Sequence, residues 1–196
     1  MNIRAIIFDM DGTIVDTPYN WKKIREELDT QGMPILSYLD SLKGAERIKK
    51  WKILKKHERK ATLEAVLKEG IPEFLQFLRR REIKSALVTN NSWKNVSHLM
   101  KKFHLKFDYI LSRESGLWKP SGAPFLYILE KMGLSAEECC VVGDSHFDIK
   151  AAQEAGITRI FFLAKERDEF SSLQAEVVGS VMEIQERIER ILDSTA

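Results

Sequence analysis

The sequence predicts an α/β fold: a Rossmann-like, three-layer α/β/α core built around a parallel sheet, with a small all-helical insertion. Apolar runs of strand length alternate with helical patterns along most of the 196 residues. Unbroken apolar strands in such an alternation are typical of a parallel sheet covered by helices on both faces. Residues 18–70 contain helical patterns only and are too long for a crossover connection. We therefore expect a core of residues 1–17 and 71–196, with residues 18–70 as a helical insertion.

The predicted strands are short apolar runs that end in polar residues. The first run directly precedes Asp9, and the fourth contains both cysteines of the chain. Because parallel strands point the same way, their carboxyl ends should lie along one rim of the sheet. The strands are expected at residues 3–8, 83–88, 107–111, 139–142 and 159–163, with a shorter one at 176–178.

The helices are indicated by apolar spacing and by residues that start or stop a helix. Pro72 lies near the start of one helix, and Gly133 and Gly156 follow the ends of two others. Core helices are expected at residues 71–81, 92–103, 123–132 and 148–155, and insertion helices at 20–30, 33–42 and 44–69. A final helix packed on the sheet is indicated by four apolar residues at helical spacing: Val181, Ile184, Ile188 and Ile191.

The longest predicted helix of the insertion is strongly basic. Nine basic residues lie from Lys43 to Lys60, against the acidic residues Glu46 and Glu58. One interpretation is a solvated surface, and the other is an electropositive wall that attracts an anionic substrate. A further set of insertion residues could line the site: Tyr19, Trp21, Lys22, Lys23 and Trp51. The aromatic members could equally pack in the core of the insertion.

Composition argues against several classes of partner. With 31 basic and 29 acidic residues the net charge is +2, so overall charge does not favour nucleic acid. The apolar runs are too short for a signal peptide or a membrane span, so we expect a cytoplasmic protein without a membrane partner. We also expect a monomer or a weak homodimer. Cys139 and Cys140 are neighbours in a predicted strand, so they should point to opposite faces and stay reduced.

Two carboxylates follow the first strand in the segment FDMDGT, residues 8–13. Asp9 and Asp11 share one side of an extended backbone, because side chains alternate with a period of two. Gly12 allows the chain to turn away directly afterwards. Charges this close repel, and burial adds to the cost, so either a cation lies between them or one of them carries a proton.

Further polar residues follow the other strands, as expected for a ligand site at the carboxyl rim of an α/β sheet. Asp144 and Asp148 follow the fourth strand, so three or four acids converge, which suits a hard cation such as Mg²⁺. The second strand is followed by hydroxyl and amide groups that can bind phosphate, and the third by a lysine on a loop: Thr89, Asn90, Asn91 and Lys119. Together these groups describe a phosphoryl-transfer site.

Each of these residues also has a purely structural explanation. Asp148 could form a capping box with Ser145, and Thr89 could be an ordinary turn residue at a strand end. Lys119 before a proline could be a surface lysine, and Asp11-Gly12 could be a plain turn. The functional interpretation depends on their order, because each group follows a different strand.

In this order the motifs resemble those of the haloacid dehalogenase superfamily of phosphotransferases. The matching segments are DMDGT at residues 9–13, VTNN with Thr89, KP with Lys119, and GDSHFD at residues 143–148. The resemblance covers essentially the whole core, including AAQEAGI at residues 151–157. The insertion resembles the C1-type helical cap of the phosphoglycolate phosphatase-like and beta-phosphoglucomutase-like branches.

The resemblance implies a role for each matched residue. Asp9 would attack phosphorus and form an aspartyl-phosphate, and Asp11 would act as general acid and then general base. Mg²⁺ would be held by the Asp9 carboxylate, the Asp11 carbonyl and Asp144, with Asp148 bound through water or in support. Phosphate oxygens would be bound by three further residues: Thr89, Asn90 and Lys119.

We therefore expect a Mg²⁺-dependent phosphatase that acts on a small phosphorylated substrate. The alternative is a phosphomutase of the beta-phosphoglucomutase type, although Thr13 favours a phosphatase. A phosphonatase, which would use a lysine of the insertion, and a non-catalytic phosphate-responsive module are weaker alternatives. Asp11 argues against a dehalogenase, which lacks the second acid. The continuation KPSGAP and the short, basic insertion depart from many relatives, so the substrate stays open.

Overall fold

A computed structural model describes residues 3–164 and 174–194. The strands are β1 Ala5–Phe8, β2 Val15–Asp16, β3 Val66–Leu67, β4 Lys84–Val88, β5 Tyr109–Leu111, β6 Cys139–Gly143, β7 Arg159–Leu163 and β8 Glu176–Val178. Six of them form a sheet in the order β5-β4-β1-β6-β7-β8, in which every neighbouring pair is parallel. This confirms the predicted α/β fold class.

The helices lie close to their predicted positions. The insertion helices are α1 Trp21–Leu28, α2 Ile35–Ser41 and α3 Gly44–Glu64. The core helices are α4 Ile71–Arg80, α5 Trp93–Lys102, α6 Ala123–Met132, α7 His146–Glu154 and α8 Val181–Asp193, with short 3₁₀ turns at Arg113–Ser115 and Ala136–Glu138. No helix in the described ranges is long and apolar enough to cross a membrane.

The sheet buries both faces, because alternate residues of its strands point into different apolar clusters. Ile6 and Phe8 pack with residues of α4, α5 and α8 on one face. Ile7 packs with residues of α6 and α7 on the other. Cys140 belongs to the first cluster and Cys139 to the second, and both are buried and unbridged. The prediction that the cysteines lie on opposite faces in reduced form is confirmed.

The insertion has an apolar cluster of its own, formed by residues of α1, α2 and α3. Its buried members include Ile24, Leu39 and Leu54, and Trp51 packs against them. Of the nine basic residues from Lys43 to Lys60, all are exposed except Lys50, which is half-buried. The division into a core and an insertion of residues 18–70 stays a prediction.

Two boundaries differ from expectation for local reasons. The predicted helix 44–69 ends at Glu64, since Val66–Leu67 pairs antiparallel with Val15–Asp16 as a two-stranded ribbon. Strands of two residues are too short to produce a periodic signal. The predicted helix 148–155 begins at His146, because Ser145 caps it and Asp148 occupies the third position of a capping box.

Candidate active site

The order of the strands brings the predicted site residues together. β1 lies between β4 and β6, so the residues after these strands share the carboxyl rim of the sheet. Asp9 follows β1, Thr89 follows β4 and Asp144 follows β6. All three line one cavity with Asp11 and Lys119.

A buried lysine connects two of the predicted acids. Lys119 Nζ lies 2.6 Å from Asp9 Oδ1 and 2.5 Å from Asp148 Oδ1. The other oxygen of Asp148 accepts hydrogen bonds from the Ser145 N–H at 3.1 Å and the Ser145 hydroxyl at 2.6 Å. Burial by itself would lower the pKa of Lys119, but Asp148 and Asp9 outweigh it and raise the pKa above its ordinary value. Lys119 is therefore a charged bridge between two carboxylates, rather than a surface lysine.

Asp11 has a different environment from Asp9. Its Oδ2 accepts a hydrogen bond of 2.9 Å from the Asn91 side-chain amide. Its Oδ1 is buried and has no hydrogen-bond partner among the described residues. Burial is the main cause that raises the pKa of Asp11 to about 6, against the hydrogen bond from Asn91, which lowers it. Near neutral pH this carboxyl group can therefore carry or release a proton.

The turn after Asp9 depends on two residues of the DMDGT motif. Gly12 has a φ of 88°, and a Cβ at this position would overlap the carboxylate of Asp144. Thr13 is buried and its hydroxyl donates a weak hydrogen bond to Asp144 Oδ1 at 3.4 Å. The close approach between the first and fourth motifs therefore requires glycine.

Three carboxylates are placed to share a cation. Asp9, Asp144 and Asp148 each offer an oxygen, and these atoms lie within 4.8 Å of one another. Burial, followed by repulsion from Asp148, raises the pKa of Asp144 to about 7. Burial and the neighbouring acids also raise the pKa of Asp9, despite Lys119. Buried carboxylates that repel one another fit a hard divalent cation, since the cation would remove the repulsion.

Thr89 and Asn90 differ in the hydrogen bonds that their side chains form. The Thr89 hydroxyl is buried and accepts a hydrogen bond of 3.0 Å from the Asn91 N–H. The Asn90 side chain is occupied by the main chain of Lys119: it donates to the carbonyl at 2.8 Å and accepts from the N–H at 2.9 Å. The side chain of Asn90 therefore positions Lys119. The group that Asn90 can still offer to a phosphate is its own backbone N–H.

Sequence reasoning missed a buried ion pair that joins the insertion to the core. Arg113, after β5, donates to both carboxylate oxygens of Glu58 on α3, at 2.7 and 2.9 Å. Both side chains are less than a tenth exposed, and the Arg113 guanidinium lies 4.9 Å from the centre of the Trp51 ring. The partners are 55 residues apart and belong to no motif, so no sequence signal indicated the pair.

The cavity at the rim has a volume of about 920 Å³. Its lining from the insertion includes Tyr19, Trp21 and Arg25 but not Lys22, Lys23 or Trp51. From α3, only Leu54 and Glu58 belong to the lining in the described part of the chain. None of the nine basic residues of the helix lines the cavity, and eight of them are exposed, which favours the interpretation as a solvated surface.

A family model described as haloacid dehalogenase-like hydrolase matches residues 3–156, which include every motif of the site. The chain belongs to this family. An uncharacterized hydrolase of Saccharomyces cerevisiae is 29% identical to it over 93% of this chain and 91% of the yeast protein. A phosphorylated carbohydrates phosphatase of Thermotoga maritima is 28% identical over 81% of this hydrolase and 84% of its own length.

Solved structures agree with the fold. The crystal structure of a haloacid dehalogenase hydrolase from Entamoeba histolytica superposes with a TM-score of 0.74, at 22% identity, over 96% of this hydrolase and 99% of that chain. The resemblance inferred from the four motifs is thus confirmed at the level of the family.

The repulsion around Asp144 predicts that this residue lowers the stability of the metal-free hydrolase. A folded-state pKa of about 7, above the ordinary 3.8, means that ionisation at high pH costs folding free energy. Asp144→Asn should therefore raise the free energy of unfolding at pH 8 by about 1–3 kcal/mol. The gain should shrink as pH falls through 7 and nearly vanish at pH 4. Urea unfolding in the presence of EDTA measures it, and a loss of stability at pH 8 would contradict the interpretation.

The buried ion pair predicts a second effect on stability. Glu58→Gln leaves Arg113 buried without a full countercharge, so it should lower the free energy of unfolding by about 3–5 kcal/mol. Arg47, which pairs with Asp40 at 3.1 Å on the surface, provides the control. Arg47→Gln should change stability by about 1 kcal/mol or less. Equal effects of the two substitutions in urea unfolding would show that burial of the pair is unimportant.

Proposed function

We propose that this hydrolase is a Mg²⁺-dependent phosphatase that cleaves a small phosphomonoester through an aspartyl-phosphate on Asp9. The observation that carries the proposal is the difference between Asp9 and Asp11. Asp9 is paired with Lys119, whereas Asp11 keeps one buried oxygen without a partner among the described residues and has a pKa of about 6. Two carboxylates in unlike surroundings are suited to unlike roles.

Asp9 is the proposed nucleophile. Burial raises the pKa of Asp9, and the positive charge of Lys119, 2.6 Å away, opposes this effect and favours the ionised form that attack requires. An oxygen of Asp9 forms a bond to phosphorus, and the bond from phosphorus to the substrate oxygen breaks. Lys119 stays beside the reacting atoms, held by Asp148 and by the Asn90 side chain, and reduces the repulsion between the carboxylate and the phosphate.

Asp11 is the proposed general acid and base. In the first step its protonated carboxyl group gives a proton to the departing oxygen, so that the alcohol leaves neutral. In the second step the carboxylate takes a proton from a water molecule, whose oxygen attacks phosphorus and releases Asp9. The Asn91 amide holds Oδ2 throughout, which leaves Oδ1 for both proton transfers.

The proposed metal ligands are the carboxylates of Asp9 and Asp144 and the backbone carbonyl of Asp11. Both oxygens of Asp148 are engaged by Lys119 and Ser145, so we assign it to the support of the site. When bound, Mg²⁺ would neutralise negative charge on the phosphate and fix its orientation. The Thr89 hydroxyl and the Asn90 N–H would hold the remaining phosphate oxygens.

The insertion is the proposed cap over the reaction. Its residues Tyr19, Trp21 and Leu54 share the cavity with Asp9 and Asp11. A cap of this kind excludes water while Asp9 attacks, so that phosphate passes to the carboxylate rather than to solvent. The phosphatase activity of a relative on phosphorylated carbohydrates supports a small phosphorylated molecule as the substrate.

Substitution of the two acids should separate their roles. Asp9→Asn should reduce hydrolysis of p-nitrophenyl phosphate by about 10³-fold or more, because the nucleophile is lost. Asp11→Asn should release about one equivalent of p-nitrophenol per enzyme, since this phenol leaves without an acid, and then turn over about 10²–10⁴ times more slowly. Stopped-flow absorbance measures both phases.

Asp16→Asn is the matched control, because Asp16 is exposed and pairs with Lys68 outside the cavity. This variant should behave as the unchanged enzyme does. Full activity of Asp9→Asn, or a steady rate without a burst in Asp11→Asn, would contradict the assigned roles.

Mg²⁺ should bind the folded enzyme more tightly at pH 8 than at pH 5. Below pH 7 the Asp144 carboxyl of the folded, metal-free enzyme holds a proton that Mg²⁺ must displace. Millimolar Mg²⁺ should therefore raise the melting temperature by several degrees at pH 8 and by much less at pH 5. Differential scanning fluorimetry measures the shift, and Asp144→Asn should lose most of it. A larger shift at pH 5 would rule out these ligands.

A further inference from the structure

We infer that the substrate's leaving group is a flat aromatic ring that carries a second negative charge. This inference rests on the proposed phosphatase activity and identifies its substrate class. The cavity of about 920 Å³ is near the upper end of pockets that hold drug-sized ligands, roughly 300–1,000 Å³. A phosphoester of two or three carbons would occupy little of it.

The leaving group departs on the side of the acid that protonates it, and an aromatic pair lies on that side. Asn91 donates one hydrogen bond to Asp11 and another, of 3.0 Å, to the Tyr19 hydroxyl oxygen. The Tyr19 ring stacks on the Trp21 ring with 4.3 Å between centroids and 23° between planes. The stacked pair is therefore fixed relative to Asp11, and a leaving group would meet it directly.

Two exposed aromatic rings belong to the lining of the cavity. Trp21 on α1 is 42% exposed, and Phe147 on α7 is 37% exposed. A single exposed aromatic side chain is common, but two that line one cavity from different helices offer apolar surface to a ring. Aromatic faces favour stacking on another flat ring over an aliphatic or sugar group.

Each exposed ring has a cation about one helical turn further along the same helix. Arg25 lies four residues after Trp21, and Lys150 lies three residues after Phe147, so each pair shares a helix face. Both cations line the cavity, and neither forms an ion pair within the described ranges.

Two carboxylates of the lining lie outside the cluster of aspartates. Glu58 is neutralised by Arg113, whereas Glu154 accepts a hydrogen bond of 2.9 Å from the Gly122 N–H and keeps its charge. Two cations against one carboxylate leave this part of the lining with a net positive charge. An anionic group on the far side of the ring would complete the arrangement, in addition to the phosphate held near Asp9.

Four phosphate esters of primary alcohols test the two features separately. 4-Carboxybenzyl phosphate has a ring and a second charge, benzyl phosphate has the ring only, 6-phosphooxyhexanoate has the charge only, and ethyl phosphate has neither. With Mg²⁺, kcat/KM should be highest for 4-carboxybenzyl phosphate, at least about tenfold above benzyl phosphate and above the hexanoate. The similar alcohol leaving groups keep differences in intrinsic reactivity small.

Two variants and their matched controls assign each preference. Trp21→Leu should reduce the preference for a ring, and Arg25→Gln the preference for the charge, each by about tenfold. Trp93→Leu and Lys22→Gln are the controls, because both residues are exposed and lie outside the cavity lining. The controls should retain both preferences.

The outcomes separate this inference from the proposed function. Equal kcat/KM for the four esters, with hydrolysis that still requires Asp9, would overturn the substrate class and leave the phosphatase standing. Unchanged preferences in Trp21→Leu and Arg25→Gln would likewise overturn it. Absence of hydrolysis of all four esters by the unchanged enzyme with Mg²⁺ would overturn both.

Discussion

The contact on which the rest of the site depends is the double ion pair of Lys119 with Asp9 and Asp148. Several carboxylates converge at the ends of β1 and β6, where burial and mutual repulsion oppose their ionisation. One buried ammonium group between two of them offsets much of that cost. Two further contacts fix its position: the capping box at Ser145 holds Asp148, and the Asn90 side chain binds the main chain of Lys119. The loops after four separate strands therefore depend on one another, and the site forms as a unit.

The same arrangement separates two acids that are only two residues apart. Asp9 is paired with Lys119 and lies in the acid cluster. Asp11 accepts a hydrogen bond from Asn91, which also donates to the hydroxyl of Tyr19 in the insertion. Burial raises the pKa of both acids. At Asp9 the main opposing influence is the charge of Lys119, whereas at Asp11 it is the hydrogen bond from Asn91. The proposed division of roles between nucleophile and general acid therefore depends on the surroundings of the two residues, since both are aspartates.

The core and the position of the site could be predicted because each depends on local signals. Apolar runs mark the strands, and the polar residue after each strand falls on the common rim. Contacts between distant side chains have no such signal. Three contacts depend on the three-dimensional arrangement in this way: the ion pair of Arg113 with Glu58, the hydrogen bonds of Asn90 with Lys119, and the ribbon of Val15–Asp16 with Val66–Leu67. The basic residues of α3 are a case where composition suggested a role that position does not support, because none of them lines the cavity.

The proposed mechanism requires that the phosphoryl group passes to Asp9 before it reaches water. The stereochemical course at phosphorus tests this claim most directly, because each in-line displacement inverts the phosphorus centre. A chiral, isotopically labelled phosphorothioate ester, hydrolysed in labelled water with Mg²⁺, should give product with net retention, the result of two displacements. Net inversion would show a single direct attack by water and would contradict the account.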